Sequence, residues 1–142
     1  MATQLFETAE DHILNYLKGT AMPTAPTLCQ IALFSADFAN SSTLPAEIVY
    51  TGYARQTVTL GAITANTSIG AGDSVSNSAT VSFPATPATG GPWTISAYAL
   101  FFNTGTSGTY ECWHFENLTA PISVGNSSTI SFAAGAITAT QI

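Results

Sequence analysis

Apolar residues recur at helical spacing only once in this chain, and the stretch that follows forbids the helix from continuing. Leu5, Phe6, Ala9, Ile13, Tyr16 and Leu17 fall on one face of a 3.6-residue period. The spacing predicts a helix over residues 3–18, with Thr3 as N-cap and Glu7 and Glu10 favouring the early turns. Lys18 stands in the last turn and Gly19 just beyond it, a normal stop. Residues 20–27 read TAMPTAPT; Pro23 and Pro26 lack the amide proton a helix needs and restrict the residues before them. From residue 27 onward the pattern is that of strands and turns. The expected division is a helical arm over 1–19, a Pro-containing linker over 20–27 and a β domain over 28–142.

The β part is punctuated every few residues. TLCQIALFS (27–35) is apolar almost throughout, as a strand buried on both faces would be. EIVYTGYARQTVTL (47–60) holds one strand or two around Gly52, and residues 61–78, rich in Gly, Ser, Thr and Asn, read as loop. WTISAYALFF (93–102) is the longest apolar strand; with NTGTSG between them, it and TYECWHFEN (109–117) suggest a hairpin. PISV and TISF read as another short pair, and GAITATQI closes the chain in alternation. NSATVSFPA (77–85) and NSSTISFAA (126–134) are nearly the same phrase, 49 residues apart. Two copies are too few for a solenoid, so they are read as two similar strands, each bringing a phenylalanine to one core. Some eight short strands predict an all-β fold, a β-sandwich of jelly-roll or immunoglobulin-like type behind one N-terminal helix. Its expected core includes Ile31, Leu33, Val58, Val81, Phe83, Ile95, Tyr98, Leu100, Trp113, Phe115, Ile130 and Phe132. The apolar face of the helix must cover either this sandwich or a neighbour.

Composition narrows the function. Charged residues are 7% of the 142-residue chain, against about 25% in an ordinary soluble domain. A surface of hydroxyls rather than charges suits a protein that hides much of itself in an assembly. Net charge is −6, and Lys18 and Arg55 are the only basic residues. Nucleic-acid binding, which needs clusters of Lys and Arg, is therefore not expected. No stretch reaches ~18 apolar residues and no signal-peptide pattern stands at the start, so no membrane partner is expected either. The sequons at Asn40, Asn66, Asn117 and Asn126 are then turn chemistry. Cys29 and Cys112 are too few for a disulfide scaffold and read as two buried thiols.

No convergent chemical site is visible. Strand alternation in YECWHFE would put Tyr110, Cys112, His114 and Glu116 on one face and Glu111, Trp113 and Phe115 on the other. Cys112, His114 and Glu116 would then span about 13 Å along one strand, too far to gather round one zinc ion. The plain reading is a sheet face with a polar edge; the alternative is that His114 and Glu116 lie at a subunit contact. No G-x-S-x-G elbow is present, and the carboxylates Asp37, Glu47, Asp73, Glu111 and Glu116 are scattered. SIGAGDS lacks the Lys of a phosphate loop, and Asp73 alone is a poor calcium site. The expectation is no catalytic residue, no metal and no cofactor.

Four phrases together resemble a family of small tailed-bacteriophage virion proteins. They are GYARQTVT (52–59), SNSATVSFPA (76–85), SFAAGAIT (131–138), and the opening helix, linker and ALF-type strand. Where the family pattern has GGYAR, this chain has TGYAR. Members are labelled head decoration (cement) or tail-fibre-like proteins. The resemblance implies a non-enzymatic sandwich that works by assembly. On the cement reading the chain is a homotrimer on the capsid surface, assembled in the host cytoplasm, with the major capsid protein and its own copies as partners. The helix and linker then reach a neighbour, and Arg55 is an anchor of unknown partner. The expected assembly contacts are Leu5, Phe6, Ile13, Tyr16, Leu17, Arg55 and His114. The alternative is a tail-fibre or receptor-binding module, with NTGTSG and SIGAGDS as loop tips.

Overall fold

A computed structural model of the chain describes residues 4–68, 72–104 and 109–141. Chain order is β1 (Gln4–Leu5), α1 (Glu7–Leu17), β2 (Cys29–Phe34), β3 (Gln56–Thr57), β4 (Asp73–Ser76), β5 (Val81–Ser82), β6 (Trp93–Asn103), β7 (Tyr110–Val124), β8 (Ser131–Phe132) and β9 (Thr138–Gln141). The fold is thus mostly β with one short helix. Five strands form an antiparallel sheet in the order β1-β7-β6-β2-β3. The ladders β4–β9 and β5–β8 make up a second layer, as in a sandwich.

The two middle strands, β2 and β6, are buried on both faces. Along β2, Ile31, Ala32 and Leu33 are fully buried and Phe34 nearly so. Cys29, Ile31 and Leu33, with Ile95, Tyr98 and Leu100 of β6, face the ladders and meet Val81, Phe83, Ile137 and Ala139. Ala32 and Phe34, with Ala97, Ala99 and Phe101, face the other way and meet Phe6, Phe38 and Phe115. Three alanines leave room there for rings: Phe38 stacks on Phe115 at 4.5 Å and meets Phe34 edge-on at 5.0 Å. Burying each large apolar side chain contributes about 1.5–3 kcal/mol.

The helix starts at Glu7, later than the spacing predicts, and Thr3 lies outside the described residues. Residues 4 and 5 pair instead with β7, Gln4 opposite Phe115 and Leu5 opposite His114. Phe6 takes the N-cap position with no side-chain cap, because its ring fills the second core. The carbonyl of Ser41 accepts the Glu7 amide at 2.7 Å, so a loop supplies the acceptor that a capping side chain would have given. At the other end Gly19 adopts φ +90, and the Thr20 amide reaches back to the Asn15 carbonyl.

Three strand expectations need correction. The stretch read as loop contains β4, which pairs Asp73–Ser76 with β9; Asp and Ser are poor strand formers, and the partner strand overrides them. PISV does not pair with TISF. It continues β7, with Ile122 opposite Ile95 and Val124 opposite Trp93. Residues 118–121 bulge from that strand against the single residue Ser96, which is where Pro121 is tolerated. Finally, β7 does not alternate simply. His114 pairs with Leu100 but Cys112 with Phe101, so Trp113 is an extra residue, and Cys112 and Phe115 share the second core. The NTGTSG turn and the middle of SIGAGDS fall largely outside the described residues.

Candidate assembly surface

The residues expected to make contacts separate into two groups. Phe6 is buried within its own subunit, Leu5 is half-buried in β1, and Ile13 is half-buried on α1. Leu14, Tyr16 and Leu17 are 59%, 60% and 76% exposed, and Met22 follows them on the linker. The helix is fixed on its first turns and bare on its last. Ala9 is fully buried, and His12 reaches β7, its Nε2 3.0 Å from Glu111 Oε2 and its ring 5.6 Å from Trp113. Burial would raise the Glu111 carboxyl, but hydrogen bonds led by that of His12 outweigh it and hold it below its ordinary value.

Arg55 has its partner within the chain. Its Nε donates to Glu47 Oε1 at 3.0 Å and its NH2 nitrogen to Oε2 at 2.7 Å, a two-pronged fork. The guanidinium carbon stands 3.9 Å from the centre of the Phe101 ring. The Tyr53 hydroxyl donates to Glu47 Oε1 at 2.9 Å and accepts the Leu33 amide at 3.0 Å. The hydrogen bond Arg55 donates to Glu47 raises the Arg55 pKa against the opposing effect of burial, and burial chiefly raises that of Tyr53. The arrangement seals the outer edge of β2. Residues 56 and 57 cover its first half, the Ile48 amide bonds the Leu33 carbonyl, and Tyr53 fills the gap between. The sequence singled out Arg55 but not Glu47 or Tyr53; the Gly52 turn, with φ +92, was the available signal for a chain that doubles back.

His114 faces the ladder layer beside Val75 and Ala139. Glu116 accepts a short hydrogen bond from the Tyr98 hydroxyl, and burial is the main reason the Tyr98 pKa is raised. The two cysteines lie in different cores on opposite faces of the sheet. Burial pushes both thiols up to about 12. A surface depression of ≈ 320 Å³ lies between Leu28, Val58, Leu60 and Phe102 and is lined by apolar and threonine residues, with the buried Cys29 at its base. Among the described residues no three His, Cys, Asp or Glu side chains are grouped to hold a metal ion, and no helix is long and apolar enough to cross a membrane.

A second sequence-invisible feature is Asn77, buried at the start of the first repeated phrase. Its Nδ2 donates to the carbonyls of Ala79 and Ala133, and its Oδ1 accepts the Ile137 amide, all at 2.8 Å. One side chain thus ties the β4–β5 turn to the β8–β9 turn.

These features define a small layered β module with an anchored helix whose last turn is bare. A family model described as podophage GP4 fiber I protein gp80 matches residues 4–140. The chain belongs to this family and is a structural phage virion protein of fibre character. No curated protein matches it.

Proposed function

We propose that the chain is a non-enzymatic subunit of a podophage fibre, held in the particle by contact with copies of itself and with a neighbouring virion protein. The observation that carries this is the apolar last turn of α1. Leu14, Tyr16 and Leu17 stand in solvent on a helix whose other end is fixed by Phe6 and Ala9. A fixed helix presenting an apolar patch is suited to a packed contact rather than to a free surface. A homotrimer is the assembly we favour, since three equivalent patches can close around one axis. Arg55, bound to Glu47, acts within the subunit, and the remaining cation, Lys18, gives no basis for nucleic-acid binding.

The capsid-cement reading would use the same patch against the major capsid protein. The word fiber in the family description favours the fibre over the shell. Quantitative mass spectrometry of purified particles separates the two. A fibre subunit is present in a few tens of copies and cross-links to tail components. Hundreds of copies, cross-linked to the major capsid protein, would overturn the fibre assignment in favour of cement. Sedimentation of the isolated chain should give a trimer; a monomer at high concentration would remove the self-contact.

A further inference from the structure

We propose that β4–β9 is an acid-labile cover over His114, closed at neutral pH and released as the pH falls toward 5 while the five-stranded sheet stays folded. His114 is clamped in the middle of β7, with Leu5 of β1 on one side and Leu100 of β6 on the other. The β4–β9 ladder lies over it. Val75 and Ala139 line the same cavity of ≈ 180 Å³, together with Ile63, Asp73 and Ser74. The Nδ1 atom of His114 is sealed from solvent and has no hydrogen-bond partner. In either neutral tautomer that atom is unsatisfied. The residue as a whole is half-buried, but in the imidazolium this sealed Nδ1 must carry a proton with no acceptor, which costs more than leaving a neutral nitrogen unpaired.

The charged group that lines the cavity with His114 is Asp73 on β4, whose Oδ1 accepts the Asn66 amide. The other carboxylate near on β7 is Glu116, engaged by the Tyr98 hydroxyl. The residues packed on His114 from β1, β6 and β9 are Leu5, Leu100 and Ala139, which do not titrate. Burial therefore wins and pushes the His114 pKa down from 6.5 to about 4. The closed arrangement has its full stability above pH 6.5 and loses it as the pH falls, the loss being complete below the closed-state value. Between these limits the closed form weakens about 30-fold by pH 5 and at most about 300-fold near pH 3.

The cover is the element able to yield. It is a two-stranded ladder of four residue pairs, whereas β6 is paired on both sides over most of its length. A two-stranded ribbon is marginal by itself and opens locally well before a sheet does.

Amide hydrogen exchange of the full chain, corrected for the intrinsic pH dependence, tests this. Protection of residues 74–76 and 138–140 should fall about 20-fold between pH 7 and pH 5, with β2 and β6 unchanged. In His114→Leu the fall should vanish. Protection that is flat in the natural chain, or that falls equally in His114→Leu, overturns the proposal. If that variant does not fold, the imidazole titration followed by NMR in the natural chain decides. A His114 midpoint near 6.5 refutes the cover; a midpoint lying between the closed-state value of about 4 and 6.5, coincident with loss of the β4–β9 signals, supports it.

Discussion

Ser82 and Ser131 stand opposite each other as cross-strand partners. They are the same letter of the two near-identical phrases, so the repeats meet as β5 and β8 about a local two-fold axis. Val81 then faces Phe132, and the Phe83 amide bonds the Ile130 carbonyl. The two phenylalanines meet edge-on at 6.4 Å, but they are not equivalent: Phe83 is 2% exposed, whereas Phe132 is half-buried. Phe83→Ala should therefore cost about 3–5 kcal/mol. Phe132→Ala should cost about 1–2 kcal/mol, in proportion to the smaller area removed from water. Urea denaturation of the two variants measures the difference; equal losses would refute the asymmetry.

The Arg55–Glu47 fork predicts coupled effects on stability. Both side chains retain some solvent, so each alanine variant should cost about 1–2 kcal/mol rather than the larger figure of a fully buried pair. Either change leaves the Tyr53 hydroxyl and the Leu33 amide in a disturbed edge, so the double variant should cost less than the sum by about 1 kcal/mol. Arg55→Lys should recover little, because an ammonium cannot make the two-pronged fork. Additive single and double variants, read from denaturation midpoints, would show that the fork does not act as a unit.

The β class, the one helix and most of the core were legible because they rest on periodicity and apolar runs. Ile31, Leu33, Val58, Val81, Phe83, Ile95, Tyr98 and Leu100 are all buried as the pattern implied. What was not legible depends on partners distant in the chain. The strand Asp73–Ser76 exists because β9 lies beside it. The extra residue Trp113 reverses which face Phe115 takes, and nothing local in TYECWHFEN marks a bulge. Glu47 and Asn77 likewise matter through contacts made across folded turns, which single-chain spacing does not encode.

Asn77 should be among the least replaceable polar residues. Asn77→Ala leaves the Ile137 amide without its partner in a buried place and removes the donor from two part-buried carbonyls. The cost should be about 2–4 kcal/mol. Asn77→Asp keeps the shape but turns a carboxylate toward the carbonyls of Ala79 and Ala133, so at pH 7 it should be no better than alanine. Thermal melting at pH 7 checks both; an aspartate variant as stable as the natural chain would contradict the assigned donor direction.

Cys29 and Cys112 should remain unlinked and unreactive. They sit on opposite faces and two strands apart, a separation of about 9–10 Å, beyond the ~7 Å a disulfide tolerates. With both thiols pushed up to about 12, the thiolate that alkylating agents need is scarce at neutral pH. Iodoacetamide labelling of the folded chain should proceed only as fast as unfolding exposes the thiols. Rapid labelling of either residue at pH 7 would contradict its burial.

The two ends of α1 should respond in opposite ways to mutation. Phe6→Ala removes a ring packed edge-on against Phe38 and Phe115, at 6.4 and 6.3 Å, and should cost about 3–5 kcal/mol. Leu14→Ser with Leu17→Ser removes side chains that meet solvent, so the isolated subunit should change by no more than about 0.5 kcal/mol. The same pair should abolish self-association if the bare last turn is the contact. The physical reason is the division of the helix itself: its first turn completes the fold of its own subunit, and its last turn offers apolar surface that the subunit cannot cover. Equilibrium sedimentation beside urea denaturation reads both quantities on one preparation. A double variant that is destabilised would place Leu14 and Leu17 in the fold. One that is stable and still associates would move the contact away from the helix.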